Sequence, residues 1–135
     1  MRVVLDTNVI VSGLLCPHSV PAEVIYLIAC GRLEPCYDTR IITEYRDVLC
    51  RKEFSFCKEE VEYVLDEMKS HGYVVAAEPL SSGLPDSTDE PFLEVAIAAN
   101  AEYLITGNKK HFPLRKSRGI PVVSPAEFLK IYRKN

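Results

Sequence analysis

The sequence has no tryptophan and no long hydrophobic segment. Its longest uninterrupted apolar run, Val24–Cys30, is far shorter than the roughly 18 residues that a membrane-spanning helix requires. The N-terminal MRVVLD places only the apolar VVL before Asp6, which is too little for a secretory signal. We therefore expect no transmembrane helix, no membrane partner and a cytoplasmic protein.

Cysteine is present, but not in the pattern of a disulfide framework or a zinc site. The chain has 5 cysteines, no CxxC pair, and 3 histidines that lie far from any cysteine pair. Reduced thiols in the cytoplasm explain this usage better than a metal site does. Repeats and low-complexity segments are also absent, and 135 residues with 47% hydrophobic content predict one globular domain spanning residues 1–135.

The formal net charge of −3 conceals an uneven distribution of charge along the chain. The segment from Asn108 to the C-terminus contains eight basic residues and one acid, Glu127, whereas acids predominate before it. Such asymmetry is consistent with a polyanion such as nucleic acid contacting one end of the fold. A solvated basic surface is the alternative.

Hydrophobic periodicity predicts strands that alternate with helices. The predicted strands are Arg2–Leu5, Pro35–Tyr37, Tyr73–Ala77, Tyr103–Thr106 and Pro121–Val123. The predicted helices are a turn at Val9–Leu15, then Pro21–Arg32, a helix capped by Thr39 and running to about Lys52, Lys58–Ser70, Phe92–Asn100 and Ser124–Lys134. This alternation indicates an α/β domain with a mostly parallel central sheet.

Ligand sites in such sheets form beyond the carboxyl ends of the strands. This rule selects Asp6, Asp38 and the Thr106–Asn108 segment. Asp6 follows a buried strand, where a carboxylate is poorly solvated unless a positive group pairs with it. The structural alternatives are an N-cap for Asp6 and an ordinary turn for Thr106–Asn108.

Glu44 is a second candidate, because it shares a helical stripe with the apolar Ile41 and Val48. A charge on an inward-facing stripe needs a partner or a metal ion. The alternative is that Glu44 lies at the edge of the stripe, reaches water, or pairs with Arg40 or Lys52.

Acidic residues also open the helix ahead of Phe92. Favourable interaction with the helix dipole is sufficient to explain Glu90, but Asp89 lies four residues before Leu93 on the inward stripe. Asp86 falls in the preceding loop, as a supporting acid or as plain surface.

The order of these elements resembles the PIN-domain family. The matching segments are VVLDTNVIVSGL, TRIITEYRDVL, DSTDEPFLEVAIAANAEYLITGN and GIPVVSPAEFL, which together span almost the whole chain. The resemblance looks closest to the toxins of bacterial and archaeal toxin–antitoxin pairs. It implies a three-layer α/β/α fold that gathers three or four acidic residues at the ends of its parallel strands.

The resemblance also implies a site. By position, the three acids of the family fall on Asp6, Glu44 and Asp89, and the fourth, usually Asp after Thr-Gly, is Asn108 here. An asparagine offers a metal its amide oxygen but no charge, so a second metal ion would bind less tightly. The expected supporting residues are Asn8, Asp86 and Thr106.

Crowded carboxylates repel one another and stay ionised only beside a cation, and oxygen ligation without Cys or His favours Mg²⁺ or Mn²⁺. The chemical hypothesis is metal-dependent hydrolysis of phosphodiesters. The family resemblance adds RNA as substrate, a protein antitoxin that inserts a segment over the acidic cleft, and a homodimer. The residues expected to meet phosphates are Lys109, Lys110, Arg40 and Arg46.

Two other functions remain open. The first is a degenerate domain that binds RNA or a partner without cleavage, with Asn108 as the mark of decay. The second is a phosphohydrolase of the haloacid dehalogenase type, which also begins with an apolar strand and Asp. That family has a second Asp two residues later, where this chain has Asn8, and paired acids after a late Lys, which this chain lacks.

Overall fold

Five parallel strands form the central sheet, as described over residues 1–134 by a computed structural model; Asn135, the last residue of the predicted domain, lies outside the described residues. The strands are β1 (Arg2–Leu5), β2 (Glu34–Tyr37), β3 (Tyr73–Val74), β4 (Tyr103–Ile105) and β5 (Val122–Val123). Their order is β3-β2-β1-β4-β5, and every neighbouring pair is parallel. The prediction of a mostly parallel sheet is confirmed.

Six helices accompany the sheet. They are α1 (Thr7–Leu15), α2 (Val20–Ala29), α3 (Thr39–Leu49), α4 (Lys58–His71), α5 (Glu90–Ala99) and α6 (Pro125–Lys134). Short 3₁₀ turns occupy Lys52–Phe54, Ser87–Asp89, Lys109–His111 and Leu114–Lys116. Within residues 1–134, no single helix is long and apolar enough to cross a membrane; only α1 and α2 taken together, bent by 103°, reach that length and composition.

Side-chain caps mark the starts of α2 and α3, and the second corrects a prediction. Ser19 caps α2 as expected, accepting from Ala22 N at 3.3 Å. The cap of α3 is Asp38 rather than Thr39, because the Asp38 carboxylate accepts from Ile41 N at 3.1 Å and Thr39 is already helical. That helix also ends at Leu49 instead of continuing to Lys52.

Strand β3 is shorter than predicted, because its neighbour offers no further partners. The last backbone contact is from Val75 N to the carbonyl of Tyr37, where β2 ends and α3 follows. The predicted extension to Ala77 therefore has no strand to pair with.

The connections create a crevice at the centre of the sheet. The chain passes from β1 to β2 to β3 in one direction, then returns through α5 to β4 on the other side of β1. Helix α5 packs against β1, β2 and β4, while α4 packs on β2 and α6 on β4 and β5. Strands β2 and β3 are added on one side of β1, and β4 and β5 on the other. The carboxyl ends of β1 and β4 therefore flank the crevice where parallel sheets bind ligands. Asp6 and Thr106 are the first residues after these two strands.

Candidate active site

Asp6 lies buried at the carboxyl end of β1, with 5% of its surface exposed. Its backbone N–H donates to Ile105 O at 2.9 Å, which ties the ends of β1 and β4 together. Its Oδ2 accepts from Thr106 Oγ1 at 2.8 Å and from Asn8 Nδ2 at 3.3 Å. Burial raises the pKa of Asp6, and these hydrogen bonds partly offset the rise. Asp6 occupies the N-cap position of α1, but its side chain forms no capping hydrogen bond with that helix.

Glu44 reaches the same end of the sheet from α3. Its Oε2 accepts a hydrogen bond from Thr7 Oγ1, and its side chain is half-buried. Burial raises the pKa of Glu44, and repulsion from Asp6 raises it further. The structure pairs Glu44 with Thr7, next to Asp6 in the chain, rather than with Arg40 or Lys52.

Asp89 comes from the turn before α5 and is 7% exposed. Burial raises its pKa to about 6, with repulsion from Asp6 as the next cause, while the nearby His111 lowers it. Its Oδ2 is fully buried and, within the described residues, has no hydrogen-bond partner, although His111 Nδ1 is 3.2 Å away. Three carboxyl groups from three separate elements thus share one electrostatic environment in which burial opposes their charge.

Asp86 holds the turn that presents Asp89. Its Oδ1 accepts from Thr88 N at 2.9 Å and from Thr88 Oγ1 at 2.7 Å. These bonds lower the pKa of the exposed Asp86 carboxyl. Asp86 therefore stabilises the turn that precedes α5.

The Thr106–Asn108 segment forms a network around the end of β4. Thr106 is fully buried and accepts from Asn108 N at 3.1 Å, while Gly107 N donates to Asn8 Oδ1 at 3.0 Å. The amide of Asn108 contacts its own turn: Oδ1 accepts from Lys110 N at 3.3 Å, and Nδ2 lies 3.0 Å from His111 Nε2.

The four basic residues expected to meet phosphates differ in their surroundings. Arg40 bridges two buried carboxylates, at 2.7 Å from both Asp38 Oδ2 and Glu94 Oε1. Arg46 pairs with Glu62 at 3.3 Å, and Lys109 pairs with Glu127 at 2.9 Å. Lys110 is exposed, and its ammonium group has no ion pair within residues 1–134.

A hard cation fits the chemistry of this site. The donors are carboxylate oxygens whose ionised forms are disfavoured by burial, and a cation would offset that cost. The buried, unpartnered Oδ2 of Asp89 is the observation that supports such a ligand. No three or more His, Cys, Asp or Glu side chains of the described residues stand in ligating geometry, so binding requires side-chain adjustment.

Sequence reasoning missed two features of this region. The first is His111, whose signal was its position three residues after Asn108. The second is the buried Glu94, which accepts from both Arg40 and Leu80 N. Its signal was a charge within the apolar stretch of α5.

Comparisons with known proteins agree with this architecture. A family model described as PIN domain matches residues 2–110. Among solved structures, VapBC2 from Rickettsia felis bound to a DNA fragment from their promoter is 18% identical; the match covers 92% of this chain and 98% of that chain, with a TM-score of 0.56. PAE2754 from Pyrobaculum aerophilum is 16% identical, with coverage of 100% and 91% and a TM-score of 0.62. No curated protein matches. At these identities the two structures confirm the predicted α/β/α fold.

Proposed function

The chain belongs to the PIN-domain family, and from that premise we propose that it is a metal-dependent endoribonuclease and the toxin of a toxin–antitoxin pair. PIN domains are generally nucleases and usually use a divalent metal ion. We propose that its substrate is RNA, that its cofactor is Mg²⁺ or Mn²⁺, and that it acts as a toxin.

One observation supports the nuclease proposal: burial raises the pKa values of Asp6, Glu44 and Asp89, and the charge of Asp6 raises those of the other two further. A fold without a ligand at this position gains nothing by placing two buried carboxyl groups and the half-buried Glu44 where they repel one another. The unpartnered Asp89 Oδ2 adds an acceptor aimed into the same region. A bound cation would offset the repulsion between these carboxylates and so explain why they lie near one another.

Each acid has a neighbour that fixes it for such a role. Thr106 and Asn8 orient the Asp6 carboxylate, and Thr7 orients Glu44. When bound, Mg²⁺ or Mn²⁺ lowers the pKa of a water molecule and offsets charge on the phosphodiester. Asp6, Glu44 and Asp89 would hold that ion, directly or through water, and its charge would favour their ionised forms at neutral pH.

Contacts with the RNA backbone are best placed on the basic C-terminal segment. Lys110 follows Asn108 directly and is free of ion pairs in the described part of the chain, and Arg115 is also exposed. Exposed cations beside an acidic centre allow phosphate binding without loss of an internal contact. Arg40 and Arg46 are engaged with Asp38, Glu94 and Glu62, so we assign them smaller parts in substrate binding.

A protein antitoxin is the partner that this proposal requires. Similarity to VapBC2 supports it, and so does an apolar cleft of about 310 Å³ between α1, α2 and α4. Tyr26 and Tyr63 line the cleft with 66% and 56% of their surfaces exposed. Copurification with the product of a neighbouring small open reading frame tests the partner, and light scattering of the free chain tests the homodimer that we also expect.

Cleavage of RNA by the purified protein tests the nuclease directly. We expect cleavage with Mn²⁺ or Mg²⁺, none with chelator, and none by Asp6→Asn. Asp66→Asn, on the exposed side of α4, is the matched control and should retain full activity. Activity that survives Asp6→Asn or chelation contradicts the proposal, and metal binding without cleavage of RNA favours the non-catalytic binding domain. Cleavage of DNA instead, or release of phosphate from small phosphomonoesters, refutes the proposed substrate.

A further inference from the structure

His111 lies against the acidic centre in a position that the proposed function does not explain. Its Nδ1 is 3.2 Å from Oδ2 of Asp89, which is the buried oxygen without a hydrogen-bond partner in the described chain. The imidazole stands at the solvent side, with 43% of its side chain exposed. His111 is therefore the solvent-accessible neighbour of an Asp89 oxygen that is itself buried.

The two atoms are close without being hydrogen-bonded. Because Nδ1 lies 3.2 Å from Asp89 Oδ2 and forms no hydrogen bond with it, the N–H or lone pair of Nδ1 is not directed at that oxygen. Neighbouring ligands of an octahedral ion with bonds of about 2.1 Å lie roughly 3 Å apart, and their lone pairs converge on the ion rather than on each other. The separation of Asp89 Oδ2 and His111 Nδ1 matches that relation.

Asn108 holds the imidazole in this position. Its amide Nδ2 lies 3.0 Å from His111 Nε2, on the opposite side of the ring from Asp89. Its Oδ1 accepts from Lys110 N at 3.3 Å in the structure. Ligation through Nδ1 requires the amide to rotate and release that long hydrogen bond, so that Nε2–H donates to the amide oxygen and Nδ1 is left unprotonated. Histidines that ligate metals almost always donate their second N–H to an oxygen in this way.

We propose that His111 is a ligand of the cation site, supplying Nδ1 beside Asp89 Oδ2, with Asn108 as the residue that orients it. This inference rests on the proposed function, because it presupposes the metal ion. It assigns to His111 the ligand position that the family resemblance gave to Asn108. The consequence is a site of mixed oxygen and nitrogen donors.

A nitrogen donor changes which ion the site prefers. Mg²⁺ selects oxygen ligands and keeps its water, whereas the transition metals accept imidazole more readily, with affinity rising from Mn²⁺ along the series. The structure therefore assigns to this site a preference for Mn²⁺ over Mg²⁺. Removal of the imidazole should abolish most of that preference and leave Mg²⁺ binding nearly unchanged.

Metal binding by the full chain tests the inference without reference to activity. Titration calorimetry with Mn²⁺ and with Mg²⁺ should give tighter Mn²⁺ binding, and His111→Gln should weaken Mn²⁺ binding by about 10-fold or more. Pulsed EPR of the Mn²⁺-loaded protein should show modulation from a directly bound ¹⁴N nucleus, which His111→Gln removes. His71→Gln is the matched control, because His71 pairs with Glu67 on α4, and it should change neither result.

The outcomes separate this inference from the nuclease proposal. Bound Mn²⁺ without ¹⁴N modulation, or an unchanged metal preference in His111→Gln, overturns the role of His111 even if RNA is cleaved. The ¹⁴N signal in a protein that cleaves no RNA supports His111 as a ligand and refutes the nuclease. A chain that binds neither ion overturns both.

Discussion

Thr106 Oγ1 donates a 2.8 Å hydrogen bond to Oδ2 of Asp6, although 100 residues separate them in the chain. The bond joins the carboxyl ends of the neighbouring parallel strands β1 and β4 at the centre of the sheet. Among residues 1–134, Thr106 supplies the only hydroxyl that donates to this carboxylate, and it is fully buried. The fold and the candidate site therefore depend on the same contact.

Replacement of Thr106 by valine should expose that dependence. The change removes the donor to Asp6 and the acceptor for Asn108 N, which should lower the free energy of unfolding by about 1.5–3 kcal/mol at neutral pH. Thr106→Ser keeps the hydroxyl and should be nearly as stable as the wild type. Urea denaturation measures both. A loss in Thr106→Ser without a loss in Thr106→Val would show that packing of the methyl group, not the hydrogen bond, is responsible.

The metal-free protein should lose stability as pH rises. The folded state raises the pKa of Asp89 from 3.8 to about 6 and also raises those of Asp6 and Glu44. Between these values the folded state binds more protons than the unfolded state, so the free energy of unfolding falls with increasing pH. We expect Asp89 to lower the free energy of unfolding by an amount on the order of 2 kcal/mol as the pH rises between its two pKa values. Urea denaturation at several pH values measures this loss.

Asp89→Asn is the control for this pH dependence, since it removes the titrating group and should flatten the curve. Adding Mn²⁺ at neutral pH should restore stability to the wild type and much less to Asp89→Asn. Stability of the metal-free wild type that rises over the same interval contradicts the prediction.

The ion pairs of Arg40 should matter more for stability than for substrate binding. Arg40→Met leaves Asp38 and Glu94, which are 8% and 6% exposed, without their cation. The carboxylates are buried but the Arg40 side chain is 46% exposed, so solvent screens part of the interaction and we expect a loss of about 1–2 kcal/mol. Arg46→Met, on the same helix, breaks only the half-exposed pair with Glu62 and should cost less than about 1 kcal/mol. Similar thermal denaturation of the two variants would refute the structural role of Arg40.

Lys110 should contribute more to RNA affinity than Lys109. Lys110 is free to meet a phosphate, whereas Lys109 must first leave both oxygens of Glu127, at 2.9 and 3.1 Å. Lys110→Ala should weaken single-stranded RNA binding and reduce the salt dependence, the slope of log K against log salt, by about 0.7. Fluorescence anisotropy at several salt concentrations measures the binding. All variants carry Asp6→Asn so that the RNA is not cleaved. A larger effect of Lys109→Ala would reverse this assignment.

Asn108→Asp should raise the affinity of the site for divalent ions. A carboxylate at this position adds negative charge and accepts from His111 Nε2–H without rotation of an amide. Titration calorimetry with Mn²⁺ and Mg²⁺ measures the change, and Asn100→Asp, at the far end of α5, controls for added charge elsewhere. Unchanged or lower affinity would mean that Asn108 acts neither in the metal site nor through His111.

Local patterns were sufficient for most of the elements. The bounds of strand Arg2–Leu5 and the cap at Ser19 were predicted correctly. Both depend on interactions between residues that are close together in the sequence. The predictions that failed depended on neighbours outside the segment. Tyr73–Ala77 was too long because β2 ends at Tyr37, and α3 is capped by Asp38 because the backbone turns one residue earlier.

The sequence by itself determined an alternating α/β chain with acids after the strands and a basic C-terminal segment, since periodicity and charge are properties of short segments. Only the tertiary structure decided which side chains meet. The strand order places Thr106 on Asp6, Thr7 on Glu44 and His111 beside Asp89. It also commits Arg40 to Asp38 and Glu94. Side chains distant in sequence become neighbours through the order of the strands and the packing of α5, and that order is fixed by burial of the whole core.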